Sequence, residues 1–231
     1  MAALVQGRSS SDGGTEPPLE KPLLRGWLHA AAVPVALGAL VALWVRGLHA
    51  PALLPALLIY GVSLVASHLV SAAFHLGRWH GRPLAVWYAV DRAAIFLLIA
   101  GTYTPIAVGA LDGWWRGAVL GVVWSVAAVG AGLSGLLGRL PRWTSVALYL
   151  ALGWFAVAAA PSLAAALEPE VFFLLVAGGV CYSGGALVYG RRWPNPVPRL
   201  FGYHEVFHLF GILGGAAFLV AIWQVSSGGT P

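Results

Sequence analysis

Charge is what this sequence has least of. Asp, Glu, Lys and Arg make up 9% of its 231 residues, while 59% are hydrophobic. An ordinary soluble domain is about a quarter charged, so a soluble globular fold is excluded and an integral membrane protein remains. Cysteine is almost missing as well. The lone Cys181 has no partner within the chain, which excludes an internal disulfide framework. Acids are fewer than bases, and the resulting net charge of +5 raises nucleic acid as a partner, a reading that the placement of the bases removes below. The first 22 residues, MAALVQGRSSSDGGTEPPLEKP, lack a long apolar run and are rich in Gly, Ser, Pro and acid. They read as a disordered tail and not as a cleaved signal peptide.

What is present is a series of long apolar stretches. A spanning helix needs roughly 20 mostly apolar residues, and seven such stretches are read at 27–45, 51–76, 86–110, 114–137, 143–161, 169–190 and 201–224. Clusters of Pro, Gly or charge separate them, such as GRWHGRP and RRWPNPVPR; AAPSLAAALEPE is the weakest break. Trp27, Trp44, Trp114, Trp115, Trp143 and Trp193 sit at span ends, as an interfacial belt requires.

The bases then orient the spans. Arg8, Lys21, Arg25, Arg78, Arg82, Arg139, Arg142, Arg191, Arg192 and Arg199 fall on one side. Arg46 and Arg116 fall on the other, and Arg92 lies in the first turn of the third span. The positive-inside rule puts the N-terminus in the cytoplasm and the C-terminus outside. The +5 is therefore a topology signal, and no nucleic-acid partner is expected. The expected fold is an all-α seven-transmembrane helix bundle in the cell membrane, specifically a bacterial plasma membrane. A disordered cytoplasmic tail covers 1–22, the bundle 23–226, and a short C-terminal tail 227–231.

Ionisable side chains inside a membrane are costly and usually functional. Asp91 and Glu205 are the acids read as intramembrane, with His29, His68, His75, His204 and His208. The topology brings His75, Asp91, His204 and His208 to the cytoplasmic ends of their helices, with Asp91 opening the third. His204-Glu205-Val206-Phe207-His208 is an H-E-x-x-H pattern, which in a soluble protein points to a zinc hydrolase with the glutamate as base. A helix places His204 and His208 on one face, about 40° apart, while Glu205 lies about 60° from His208 and near the headgroups. Gly211 and Gly215 continue the histidine face, leaving room for close helix approach or a cavity. Ser71 sits one turn from His75 on the second span. Three neutral imidazoles with an open fourth position are a known catalytic zinc arrangement. His29 is read as an ordinary interhelical hydrogen-bonding histidine and His68 is left open. His49 and His80 are placed in loops or at the interface.

SAAFH (71–75), DRAAIFLLIAGTYTP (91–105) and GYHEVFHLFGILGGAAF (202–218) together resemble the hemolysin III family, which belongs with the progestin and adipoQ receptors and, more distantly, the alkaline ceramidases. The likeness extends over nearly all the chain after residue 20. It implies zinc as cofactor near the cytoplasmic face, held by His75, His204 and His208, with Asp91 holding the zinc-bound water and Ser71 beside it as the second catalytic residue. It also implies membrane lipids as partners and a ceramide-like lipid amide as substrate. Two positions depart from the family pattern: Arg92, placed to pair with Asp91, and Phe74 before His75. The expected activity is zinc-dependent hydrolysis of a lipid amide bond. The alternative is a non-enzymatic membrane protein, a lytic pore or a sensor, in which zinc is structural.

Overall fold

The computed structural model describes residues 21–137 and 141–228; most of the expected N-terminal tail, and the end of the C-terminal one, lie outside the described residues. Seven helices are long and apolar enough to cross a membrane: α1 (Trp27–Leu48), α2 (Leu54–Leu76), α3 (Gly81–Ala110), α4 (Gly113–Gly132), α5 (Arg142–Ala166), α6 (Pro169–Arg191) and α7 (Tyr203–Ser226). No strand occurs among the described residues beyond one isolated bridge, Val197 to Phe201. Large apolar side chains such as Val41, Val129, Phe173 and Val180 point outward, where hydrocarbon replaces water as their solvent. Neighbours in sequence pack as antiparallel pairs from α1 to α4; α6 packs along α7, and α7 also meets α1 and α3. The alternation gathers the end of α2 and the starts of α1, α3, α5 and α7 at one end of the bundle.

Three helices differ from the expected spans, each for a local reason. The third begins at Gly81 and not at 86, with the Gly- and Pro-containing stretch GRPLA already helical. Pro83 favours this, because a first-turn residue needs no N–H donor. Asp91 is thus ten residues inside α3, about 15 Å along its axis, and does not open the helix. The helix dipole acts only over the first turn, so it does not serve to stabilise an Asp91 carboxylate. The fourth span ends at Gly132, followed by a short helical turn, Ser134–Leu137. The fifth is composite: α-helix over Arg142–Gly153, a 3-10 stretch over Trp154–Ala159, then α-helix over Ala160–Ala166. Pro161 lacks the N–H that a continuous α-helix would use there and crowds the carbonyl four residues back, which explains the tightened turns before it. Of the acids, Glu170 also falls within a spanning helix, in the first turn of α6 where the dipole favours it.

Packing within the bundle depends on where side chains are missing. A Cβ on Gly214 would lie 3.1 Å from the Gly178 carbonyl oxygen and 3.3 Å from the Cys181 Cβ, so this glycine sets the α6–α7 approach. Gly211 and Gly215 behave differently. A Cβ there would meet only Tyr182, at 3.8 and 3.6 Å, and both line an internal cavity. The glycine face of α7 therefore makes room, and its neighbour in the sequence makes the contact.

Candidate metal centre

His75 lies in the last turn of α2, His204 and His208 one turn apart at the start of α7. One ring nitrogen of each lies within 4.8 Å of the others. The Nε2 atoms of all three are buried and have no hydrogen-bond partner. A buried polar atom without a partner costs roughly 1–3 kcal/mol, and three facing one point is the arrangement that a metal ion would satisfy. Neutral imidazole nitrogens suit a borderline ion such as zinc. The donor set fits a metal ion on that ground.

A second layer supports it. His208 Nδ1 lies 2.8 Å from His29 Nε2, and His29 Nδ1 lies 2.9 Å from His68 Nδ1. If the Nε2 of His208 is kept free as a ligand, its proton must sit on Nδ1, so His208 donates to His29. His29 then accepts at Nε2, carries its proton on Nδ1 and donates to His68. All three tautomers follow in sequence. His29 is thus an interhelical hydrogen-bonding histidine, as the sequence indicates, but its partner is a member of the triad. His49 bonds the Val45 carbonyl at 3.1 Å, away from this centre, and His80 precedes α3.

Glu205 is placed differently from the sequence expectation. It is not at a watery interface but fully buried, with 0% exposure. Its Oε2 accepts the Gly202 N–H at 2.9 Å, capping α7, and its Oε1 pairs with Arg25. Both oxygens are occupied, and the H-E-x-x-H glutamate is a structural cap that fixes the start of the histidine helix. Arg25 belongs to a strap over this end of the bundle. Leu23 and Leu24 donate backbone bonds of 3.0 and 3.2 Å to Arg199 and Leu200, and Lys21 donates to the His75 carbonyl. Burial and the neighbouring Arg25 push the Lys21 ammonium below its ordinary pKa, with Glu205 opposing. Gly26 ends the strap at φ +89°, and a Cβ there would lie 2.8 Å from the His75 Cβ. Lys21 and Arg25 read in sequence as topology charges, and nothing local marked Gly26; their partners lie far away along the chain.

Asp91, Ser71 and Arg92 line the same cavity as the triad, and the Ser71 hydroxyl faces the Asp91 carboxyl across the α2–α3 seam. Arg92 does not form the expected ion pair with Asp91. It donates to the Tyr88 hydroxyl, one turn back, and lies 5.0 Å over that ring. Phe74 lines the cavity beside them. The cavity, about 330 Å³, runs from this polar end past α5 and α6 to Leu111, Val119, Leu163 and Phe172. Along α3, Asp91 to Leu111 is about 30 Å.

A multi-pass helical bundle with three histidines, their Nε2 atoms buried, able to hold a metal ion is the class that fold and site define. Within it, the chain belongs to the haemolysin III family: the Haemolysin-III related family profile matches residues 18–219. It is 35% identical to the Hemolysin-3 homolog of Bacillus subtilis over 159 residues, 69% of this chain and 71% of that protein. It is 34% identical to Hemolysin-3 of Bacillus cereus over 161 residues, 70% of each chain. A more distant relative is the human monocyte to macrophage differentiation factor, 26% identical over 176 residues, 72% of this chain and 68% of that one.

Proposed function

We propose that this protein is a zinc-dependent hydrolase of a lipid amide bond, acting at the cytoplasmic end of the bundle. The observation that carries the reading is the convergence of three unpartnered Nε2 atoms at the polar mouth of a long apolar cavity. His75, His204 and His208 would hold the ion. A zinc ion so held supplies a Lewis acid for the carbonyl and makes water more acidic at neutral pH.

The chain's own residues do the rest. The apolar walls seat an acyl chain and exclude water. Asp91 accepts the proton of the attacking water as its oxygen bonds the carbonyl carbon. It returns that proton to the amine nitrogen as the C–N bond breaks. Ser71 donates to the Asp91 carboxylate and holds its orientation. Glu205, engaged by Gly202 and Arg25, takes no proton in this scheme.

The test is hydrolysis of a short-chain ceramide by purified, zinc-loaded protein. Asp91→Asn is expected to lower turnover about a hundred- to ten-thousand-fold, the usual cost of a general base, while zinc content stays at wild-type level. Wild-type protein that holds zinc yet cleaves no amide or ester lipid would leave the metal structural. The relatives named hemolysins keep lysis as the competing role. The predominantly apolar cavity lining disfavours a water-filled pore, and release of dye from vesicles of bacterial lipid would reverse that judgement.

A further inference from the structure

We propose that Arg92 is the anion-binding element of this cavity and makes it favour lipids whose headgroup carries a phosphate over neutral ones. This rests on the reading that a lipid occupies the cavity. Arg92 is 8% exposed and sits eleven residues inside a spanning helix. Intramembrane cations are costly and are ordinarily paired. Among the described residues the ion pairs are Arg25 with Glu205 and Arg116 with Asp112, and neither includes Arg92. A guanidinium has five N–H donors. The Nη1 donates to the Tyr88 hydroxyl, while the buried Nε has no acceptor. Neutral tyrosines, Tyr88 and the nearby Tyr189, orient the group, and no carboxylate among the described residues makes an ion pair with it. Asp91, the next residue, points about 100° round the helix.

Snorkelling toward the bilayer surface is the ordinary alternative for such a residue. Arg92 turns inward instead, onto the wall of the cavity that Tyr88 and the triad also line. A planar fork with a free donor matches two phosphate oxygens, and the apolar cavity beyond requires a hydrocarbon tail on the same molecule. A neutral lipid offers this cation nothing that tyrosine does not already supply.

The experiment uses full-length protein in a nonionic detergent, treated with chelator so that phosphate cannot bind a metal ion. Hexadecyl phosphate and hexadecanol are titrated and followed by tryptophan fluorescence, since Trp154 lines the cavity. The wild type should prefer hexadecyl phosphate about 10- to 100-fold, the span of a charge-assisted pair. Arg92→Gln should erase that preference and leave hexadecanol affinity unchanged, which also reports that the variant is folded. Arg92→Lys, which keeps the charge and loses the fork, should retain part of the preference. Equal wild-type affinity for the two amphiphiles, or a preference that survives Arg92→Gln, overturns the proposal. So does displacement by inorganic phosphate at the same concentration, which would make the site one for free anions. Because binding is read without metal or turnover, an absence of hydrolysis counts against the enzymatic reading alone.

Discussion

The imidazole of His29 is the residue on which the outer layer turns. It accepts from His208 and donates to His68, and removing it frees His208 to rotate and to shift its proton to the ligand nitrogen. Loss of such a partner typically costs 10- to 100-fold in metal affinity. His29→Phe should show that loss in competition with a chelator dye, and His68→Phe a smaller one that vanishes in a His29→Phe background. Independent, additive effects would contradict a connected string. Glu205 makes the opposite case. Glu205→Gln leaves Arg25 without its charge partner and should lower stability by about 1.5–3 kcal/mol, read as a lower melting temperature, with zinc retained. Complete loss of hydrolysis in a folded, zinc-containing Glu205→Gln protein would restore the glutamate as base. At this scale the histidines were legible because their spacing and their place in an apolar run are both local facts. The role of Glu205 was not, because Arg25 lies 180 residues away. Arg92 differs: its partner Tyr88 is only one turn back on the same helix, but the adjacent carboxylate in the sequence is the more obvious pairing and hides it.

At the scale of elements, the spans could be read from hydropathy because the bilayer imposes one length on all of them. Their irregularities could not. The extension of α3 to Gly81 contains Gly and Pro and looks like a loop, and it moves Asp91 from a helix end to a helix interior. The 3-10 segment in α5 leaves an apolar stretch unbroken in sequence. Glycine gives a direct check on which helix faces touch. A Cβ on Gly185 would lie 3.0 Å from the Phe210 Cβ and 3.2 Å from the Phe207 carbonyl. Gly185→Val should therefore force α6 from α7 and lower the melting temperature, whereas Gly211→Ala, beside open space, should leave it within a degree or two of wild type. Helix propensity alone would favour both changes, by up to about 1 kcal/mol each, so equal stabilisation of the two variants would show that this seam is not close-packed.

At the scale of the whole molecule, the charge bias and the site carry a joint prediction. Arg25, Arg78, Arg82, Arg142, Arg191, Arg192 and Arg199 all belong to the end of the bundle that holds the triad. The positive-inside rule then places both in the cytoplasm. A cytoplasm-only fluorescent reporter should light when fused to the N-terminus and stay dark at the C-terminus. The polar mouth and the apolar cavity form one amphiphile-shaped space only because seven helices close around it, and no single span contains that information. The central claim, that His75, His204 and His208 form a metal centre, is tested most directly by elemental analysis of detergent-purified protein. The account predicts about one zinc per chain, lost in large part in His75→Ala, His204→Ala and His208→Ala and kept in His49→Ala, since three protein ligands are the minimum for a tight site. Zinc content that is the same in all four variants and the wild type would contradict it.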